Sequence, residues 1–190
     1  MTEAPAPRFS ILIPTWNNLG FLKLCIESIE KNSKFPHEIL IHVNDGSDGT
    51  LEWVRDKGYK HTWSKENIGV CWAMNSLRPL MSTHYLVYVN DDMYLLPGWD
   101  TALYEEIQKV PGKLWYFGCT LIESQPRIRH YIDCDFGRTP ETFREKELLE
   151  TYKSFRPEDW SGVWNPPTVV HRDIWDLVGA YSVEFSPGMA

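Results

Sequence analysis

The sequence contains no apolar run approaching the roughly 18 residues that a membrane-spanning helix requires. Its start does not resemble a secretory signal. Met1 to Arg8 carries TEAPAP, with no basic start followed by an apolar stretch, and it reads as a short disordered lead-in. Positive charge is scarce: 19 Lys and Arg stand against 26 Asp and Glu, a net charge of −7. A basic face to meet nucleic-acid phosphates is missing, so nucleic acid is not an expected partner. Cysteine is sparse too. Cys25, Cys71, Cys119 and Cys134 form no C-x-x-C pair, which argues against a zinc site. Cys25 and Cys119 lie in apolar stretches and read as small core residues. Reduced thiols and the missing signal fit the cytoplasm.

Other absences narrow the chemistry. His37, His42, His61, His84, His130 and His171 show no H-x-x-x-H metal spacing. No G-x-G-x-x-G follows the first apolar run, which argues against a nicotinamide dehydrogenase. The phosphate loop G-x-x-x-x-G-K-[ST] and the nucleophile elbow G-x-S-x-G are both missing. There is no internal repeat and no low-complexity linker.

What is present is enough for one domain with a full core: 190 residues, 43% of them hydrophobic. Nine Trp lift the aromatic content to 14%. Most indoles serve cores, although indoles also stack on pyranose faces. Phe9 to Pro14 (FSILIP) and Glu38 to Val43 (EILIHV) predict buried strands, as does His84 to Val89 (HYLVYV). Apolar residues at Leu22, Ile26 and Ile29 have the spacing of one helix face. A helix is expected over Thr50 to Lys57, capped by Ser47 or Asp48 and closed by Gly58. Short strands are expected at His61–Ser64 and Thr168–Val170, and a longer one at Leu114–Ile122. Val70–Leu77, Trp99–Lys109, Glu141–Tyr152 and Asp173–Val178 read as helices. Strands alternating with helices predict an α/β fold with a mostly parallel central sheet flanked by helices. The polar stretch from Glu123 to Pro167 reads as an insertion beside a site.

In such a sheet, ligands bind beyond the carboxyl ends of the strands. Three polar clusters fall there: Pro14-Thr15-Trp16-Asn17, Asn44-Asp45-Gly46-Ser47 and Asn90-Asp91-Asp92. The last is the sharpest. Adjacent carboxylates after an apolar strand repel each other and lose hydration, and a divalent cation such as Mg²⁺ or Mn²⁺ would relieve both effects. Alone, such a triplet is more often a solvated turn. Asp45 suits a base N–H, or else an Asx-turn. Trp16 suits stacking on a base or sugar, or else core packing.

The order of motifs FSILIPTWNN, ILIHVNDGSDGT, NIGVCWAMN and YLVYVNDDMYLLPGW resembles the family 2 glycosyltransferases over residues 9 to 110. The resemblance resumes in WNPPTVVHRDIWDLVGAYS, residues 164 to 182, similar to the family's acceptor-side segment. It implies a GT-A, Rossmann-like domain over 9–190. It also implies inverting sugar transfer from a UDP-, GDP- or dTDP-sugar to a saccharide, lipid-linked or protein-glycan acceptor, assisted by Mn²⁺ or Mg²⁺. The work would be cytoplasmic, at the inner face of a membrane with peripheral association. By position, Pro14, Thr15, Trp16 and Asn17 correspond to the first nucleotide-contacting turn. Asp45, with Gly46, corresponds to the base reader. Asn67, Gly69 and Val70 correspond to the loop along the nucleoside. Asn90 and Asp91 fall nearer the ribose and phosphates, with Asp92 as the metal ligand.

Asn90 stands where the family usually has the first Asp of Asp-x-Asp, so one charge is missing. No catalytic base is identified: Glu158 and Asp159 precede WSGVWN, the wrong order. The expected base therefore lies beyond Ala190, in a domain that the chain cuts short. Two rival readings share this sheet. A sugar-nucleotide nucleotidyltransferase usually opens with a Gly-rich, Arg-containing loop, and PTWNNLG lacks the Arg. A non-catalytic nucleotide-sugar-binding domain would bind donor without turnover.

Overall fold

FSILIP supplies strand β1 (Ser10–Trp16), whose first six residues are buried. The chain around it is known from a computed structural model that describes residues 6–126, 131–156 and 166–186. His130, Glu158, Asp159 and the closing residues 187–190 lie outside the described residues. Helix α1 (Leu19–Asn32) turns Leu22, Cys25, Ile26 and Ile29 inward. Then come β2 (Glu38–Asn44), α2 (Thr50–Asp56), β3 (Lys60–Ser64), α3 (Gly69–Leu77), β4 (Tyr85–Tyr88) and α4 (Trp99–Lys109). The second half contributes β5 (Tyr116–Gly118), β6 (Ile122–Glu123), β7 (Ile132–Asp133), α5 (Glu145–Thr151), β8 (Thr168–His171) and α6 (Arg172–Leu177).

The main sheet has the order β3-β2-β1-β4-β8-β5. β8 is antiparallel to both its neighbours, and the other five strands share one direction. The sheet is mixed but mostly parallel, as alternating strands and helices imply. Because both faces are covered, strand residues alternate between two cores rather than between core and water. Ile11, Ile13, Ile41, Val43 and Val87 pack with α1 and α4 on one side. Leu12, Leu40, Leu86 and Val170 pack on the other with Met74 and Leu77 of α3 and Trp175 of α6. Cys25 and Cys71 are buried, whereas Cys119 is partly exposed.

The second half departs from the sequence reading. The strand expected over Leu114–Ile122 is split. Tyr116–Gly118 pairs with β8, whereas Ile122 and Glu123 pair with Ile132 and Asp133 in a separate two-stranded ribbon. A strand extends only as far as its partner, and β8 is four residues long; Leu114 is left 83% exposed. The helix expected from Glu141 begins at Glu145, after a turn closed by Thr142 N–H to the Thr139 carbonyl at 3.1 Å.

A buried carboxylate ties the loop between α1 and β2 to α4 at the end of the sheet opposite the polar clusters. Asp100, in the first turn of α4, accepts hydrogen bonds from the backbone N–H groups of Lys34 and Phe35, both at 2.8 Å. The same Oδ2 lies 3.2 Å from His37 Nε2. Burial lowers the His37 pKa below its ordinary 6.5, so His37 is neutral at pH 7 and the contact is a hydrogen bond rather than an ion pair. The Asp100 side chain is 0% exposed. Removing it strands several donors away from water, which costs about 3–5 kcal/mol. Asp100→Ala is expected to lower the unfolding free energy by that amount, and Asp100→Asn, which keeps an acceptor, by clearly less. Urea denaturation followed by tryptophan fluorescence measures both.

Candidate functional site

β1, β2 and β4 end at one edge, and the structure joins all three polar clusters there by side-chain hydrogen bonds. Pro14 helps to set the spacing. It has no N–H to give to a ladder, and the β1–β4 pairing runs only from Ser10 to Leu12. Beyond that point Thr15 Oγ1 donates to Asp91 Oδ2 at 2.6 Å. Asn17 and Asp45, the residues that follow β1 and β2, both have left-handed backbones, with φ of 47° and 59°. Asn and Asp tolerate that conformation because their short side chains bond locally. Here they bond each other: Asn17 Nδ2 donates to Asp45 Oδ2 at 2.8 Å and to Ser47 Oγ at 3.2 Å. Asn17 Oδ1 accepts the Gly46 N–H at 2.9 Å.

Gly46 is required at its position. Its φ is 82°, and a Cβ there would sit 2.7 Å from Leu51 Cβ and 2.8 Å from Val43 Cγ1. Asp48, rather than Ser47, braces the neighbouring helices. Its Oδ1 accepts the Thr50 N–H and its Oδ2 the Leu19 N–H, both at 3.0 Å. Ser47 Oγ instead donates to Asp45 Oδ2 at 3.0 Å.

The loop before α3 is held by buried Asn44. Its Oδ1 accepts the Ile68 N–H at 2.9 Å, and its Nδ2 donates to the Thr15 carbonyl at 3.3 Å. Asn67 Oδ1 accepts the Gly69 N–H at 2.9 Å. Gly69 and Val70 form the first turn of α3 rather than a free loop. Trp16 is 58% exposed, which removes core packing as its role. Trp63, not singled out from the sequence, donates from Nε1 to the Asp45 carbonyl at 2.8 Å. Its signal was faint: one indole on a strand too short for its alternation to show an exposed face.

The electrostatics centre on Asp91. Loss of hydration pushes its pKa up to about 6; hydrogen bonds from Thr15 and Asn18 oppose the rise and the neighbouring Asp92 charge adds to it. Burial, then the charges of Asp91 and Asp92, push up the Cys25 thiol, so it is not a nucleophile. Its Sγ lies 3.6 Å from the Asn90 carbonyl, to which it donates. Asp92 is exposed and lines a cavity of about 500 Å³. Among the described residues, no three His, Cys, Asp or Glu side chains are grouped to hold a metal ion. A cation here would rest on Asp92 and take its other ligands from a substrate or water.

Two outcomes follow from this geometry. The folded-state pKa of Asp91 is raised, so the folded protein binds a proton more readily than the unfolded chain. Stability therefore falls as pH rises from about 4 to 6, with a full effect at pH 7 on the order of 3 kcal/mol. Asp91→Asn keeps an acceptor for Thr15 and is expected to stabilise the metal-free protein at pH 7 by roughly that amount. The gain should vanish below pH 4, as urea unfolding across pH will show. Gly46→Ala is expected to destabilise the fold by about 2 kcal/mol or more from strain and crowding, read as a lowered Tm.

Residues 10–162 match the family model for Glycosyl transferase family 2. The chain is 21% identical over 198 residues to the O-antigen biosynthesis protein RfbC of Myxococcus xanthus, covering 94% of this chain and 15% of that protein. A crystal structure of S. aureus TarS superposes with a TM-score of 0.61 at 18% identity, covering 94% of this chain and 51% of that one. TarS has also been crystallised with UDP and with UDP-GlcNAc. The mannosyltransferase PcManGT from Pyrobaculum calidifontis, in complex with GDP-Man and Mn²⁺, superposes with a TM-score of 0.64 at 15% identity, covering 95% and 49%. The chain spans about half the length of these solved structures, and the fold it shares with them is GT-A.

Proposed function

The chain belongs to glycosyl transferase family 2, and on that basis we propose that it moves a sugar from a nucleoside-diphosphate donor to an acceptor hydroxyl with inversion, assisted by Mn²⁺ or Mg²⁺. The observation that carries this reading is the Asp91–Asp92 pair. It is a partly desolvated double carboxylate, bonded to Thr15 and set on the same sheet edge as Asp45 and Trp16.

Each donor-site residue has a physical task. Trp16 offers an open indole face to the base or ribose. Asp45 Oδ2 is occupied by Asn17 and Ser47, which leaves Oδ1 for a base N–H. The Asn67–Gly69 turn lies along the nucleoside, and Asn90 and Asp91 face the ribose and phosphates. Pro14, Thr15, Asn17 and Gly46 hold these groups in place. Asp92 is the metal ligand. Two adjacent carboxylates with one raised pKa fit a divalent cation, which lowers the repulsion between them. When bound, the cation neutralises charge on the departing diphosphate. Asn90 contributes no charge, so the phosphates complete the site. A general base takes the acceptor proton; the described residues supply the donor half of this chemistry.

UDP or GDP is the expected nucleotide, because TarS and PcManGT were crystallised with UDP-GlcNAc and GDP-Man. The relationship to an O-antigen biosynthesis protein supports a polysaccharide or glycan acceptor. We place this work in the cytoplasm, at the inner face of a membrane. No helix among the described residues is long and apolar enough to cross a membrane.

Calorimetry with UDP or GDP and Mn²⁺ tests the assignment. Asp92→Ala is expected to abolish the metal-dependent part of the binding, and an unchanged affinity would overturn the metal site. Trp16→Ala should weaken nucleotide binding by about 1–3 kcal/mol, the usual range for one base stacked on one aromatic ring.

A further inference from the structure

Asp92 borders more than the donor cluster. It also lines the cavity of about 500 Å³ that opens between the first turns of α1, the loop after β4, β6 and residues 134–139. Of the residues assigned to the donor, Asp92 alone lines it; Trp16, Asp45 and Asp91 do not. The volume lies within the roughly 300–1,000 Å³ of sites that enclose a small ligand.

The lining has two characters. The body is apolar, with Phe21 and Leu24 of α1 facing Leu121 and Phe136 from the second half of the chain. Phe21, Leu24 and Leu121 each remain partly exposed, so apolar surface is left in contact with water. The charged part is acidic. Asp92, Glu123 and Asp135 line the cavity against one cation, Arg138. Arg138 is already engaged: its Nε lies 3.5 Å from Asp135 Oδ2, and its Nη2 donates to Ser124 Oγ at 2.9 Å. Asp135 is paired with Arg138 and lies 3.9 Å from Arg144, and Asp92 is given to the metal, so Glu123 is the lining carboxylate left to face an occupant; its charge disfavours an anion, and the apolar walls favour an occupant with hydrocarbon to bury.

We propose that this cavity is the acceptor side of the same site, and that it selects an uncharged glycoside with an apolar aglycone, its sugar hydroxyl at Asp92 and its aglycone against Phe21, Leu24, Leu121 and Phe136. The inference rests on the glycosyltransfer reading above. In inverting transfer the acceptor oxygen bonds to the anomeric carbon from the side opposite the leaving group. The anomeric C–O bond breaks, its electron pair departs with the nucleoside diphosphate, and the acceptor proton goes to the general base. A cavity that meets the donor cluster at the metal ligand alone suits that approach.

The test titrates the chain with octyl and methyl β-D-glucopyranoside, the octyl form kept below its micelle concentration, with and without UDP and Mn²⁺. Saturation-transfer NMR reports binding. Seven added methylenes entering apolar surface should tighten binding about tenfold or more. Phe21→Asp, in the first turn of α1 where an acidic residue suits the helix, and Leu24→Gln should each remove most of that preference. Both variants should keep the wild-type Tm and UDP–Mn²⁺ affinity. Octyl β-D-glucuronide, with its carboxylate, should bind several-fold more weakly than the octyl glucoside. Equal affinity for octyl and methyl glycosides overturns the proposal, as does an alkyl preference that survives both variants or an equal affinity for the glucuronide. Failure of UDP and GDP to bind the wild-type chain overturns the donor reading instead, and the alkyl preference measured without nucleotide separates the two failures.

Discussion

Asp91 is a carboxylate at the end of an apolar strand, and much of the surrounding structure bears on holding it there. Loss of hydration raises its pKa to about 6, and the charge of Asp92 adds to the rise. Thr15 and Asn18 supply hydrogen bonds that favour the ionised form. The β1–β4 ladder stops at Leu12, two residues before Pro14, and Thr15 meets Asp91 beyond it. The residual strain is electrostatic and is relieved only by positive charge. A divalent cation brings that charge and lets a diphosphate approach the pair, which gives the proposed function its physical basis.

Around this pair, the polar side chains divide into builders and presenters. Asn17, Asn44, Asp48 and Ser47 spend their hydrogen bonds on one another and on loop backbone. They shape the edge of the sheet, so few of their polar atoms remain for a ligand. Trp16 and Asp92 remain exposed. A residue type alone does not show to which group it belongs: Asn17 and Asp45 have similar side chains, yet Asn17 bonds through both ends of its amide and Asp45 through Oδ2.

The second half of the chain follows a different logic. Only β5 and β8 join the main sheet, and β8 reverses direction. The ribbon of β6 and β7 stands apart, and β6, with residues 134–139, walls a cavity whose other side is α1 and the loop after β4. The two halves of the proposed site are therefore built from different parts of the chain. The donor half comes from regular βα units, and the cavity is closed by a segment with little regular structure. Asp92 stands where they meet.

The first half was legible in the sequence for a physical reason. FSILIP, EILIHV and HYLVYV are near-continuous apolar runs because both faces of their strands are covered, and α1 carries its inward residues at helical spacing. Local composition fixes such elements, and the rule that parallel strands present their ends at one edge brings the three clusters together. The sequence therefore determined the α/β class, the strands that carry the site and the residues worth assigning to it. Tertiary structure alone decided the rest. Leu114–Ile122 reads as one strand, but its extent was set by a four-residue partner some fifty positions away in the chain. Trp16 had two readings until its exposure separated them. The raised pKa of Asp91, the partner of each Asn and Asp oxygen, and the cavity at Asp92 all depend on distances between segments remote in sequence. No local pattern encodes those distances, because they are set by how the elements pack.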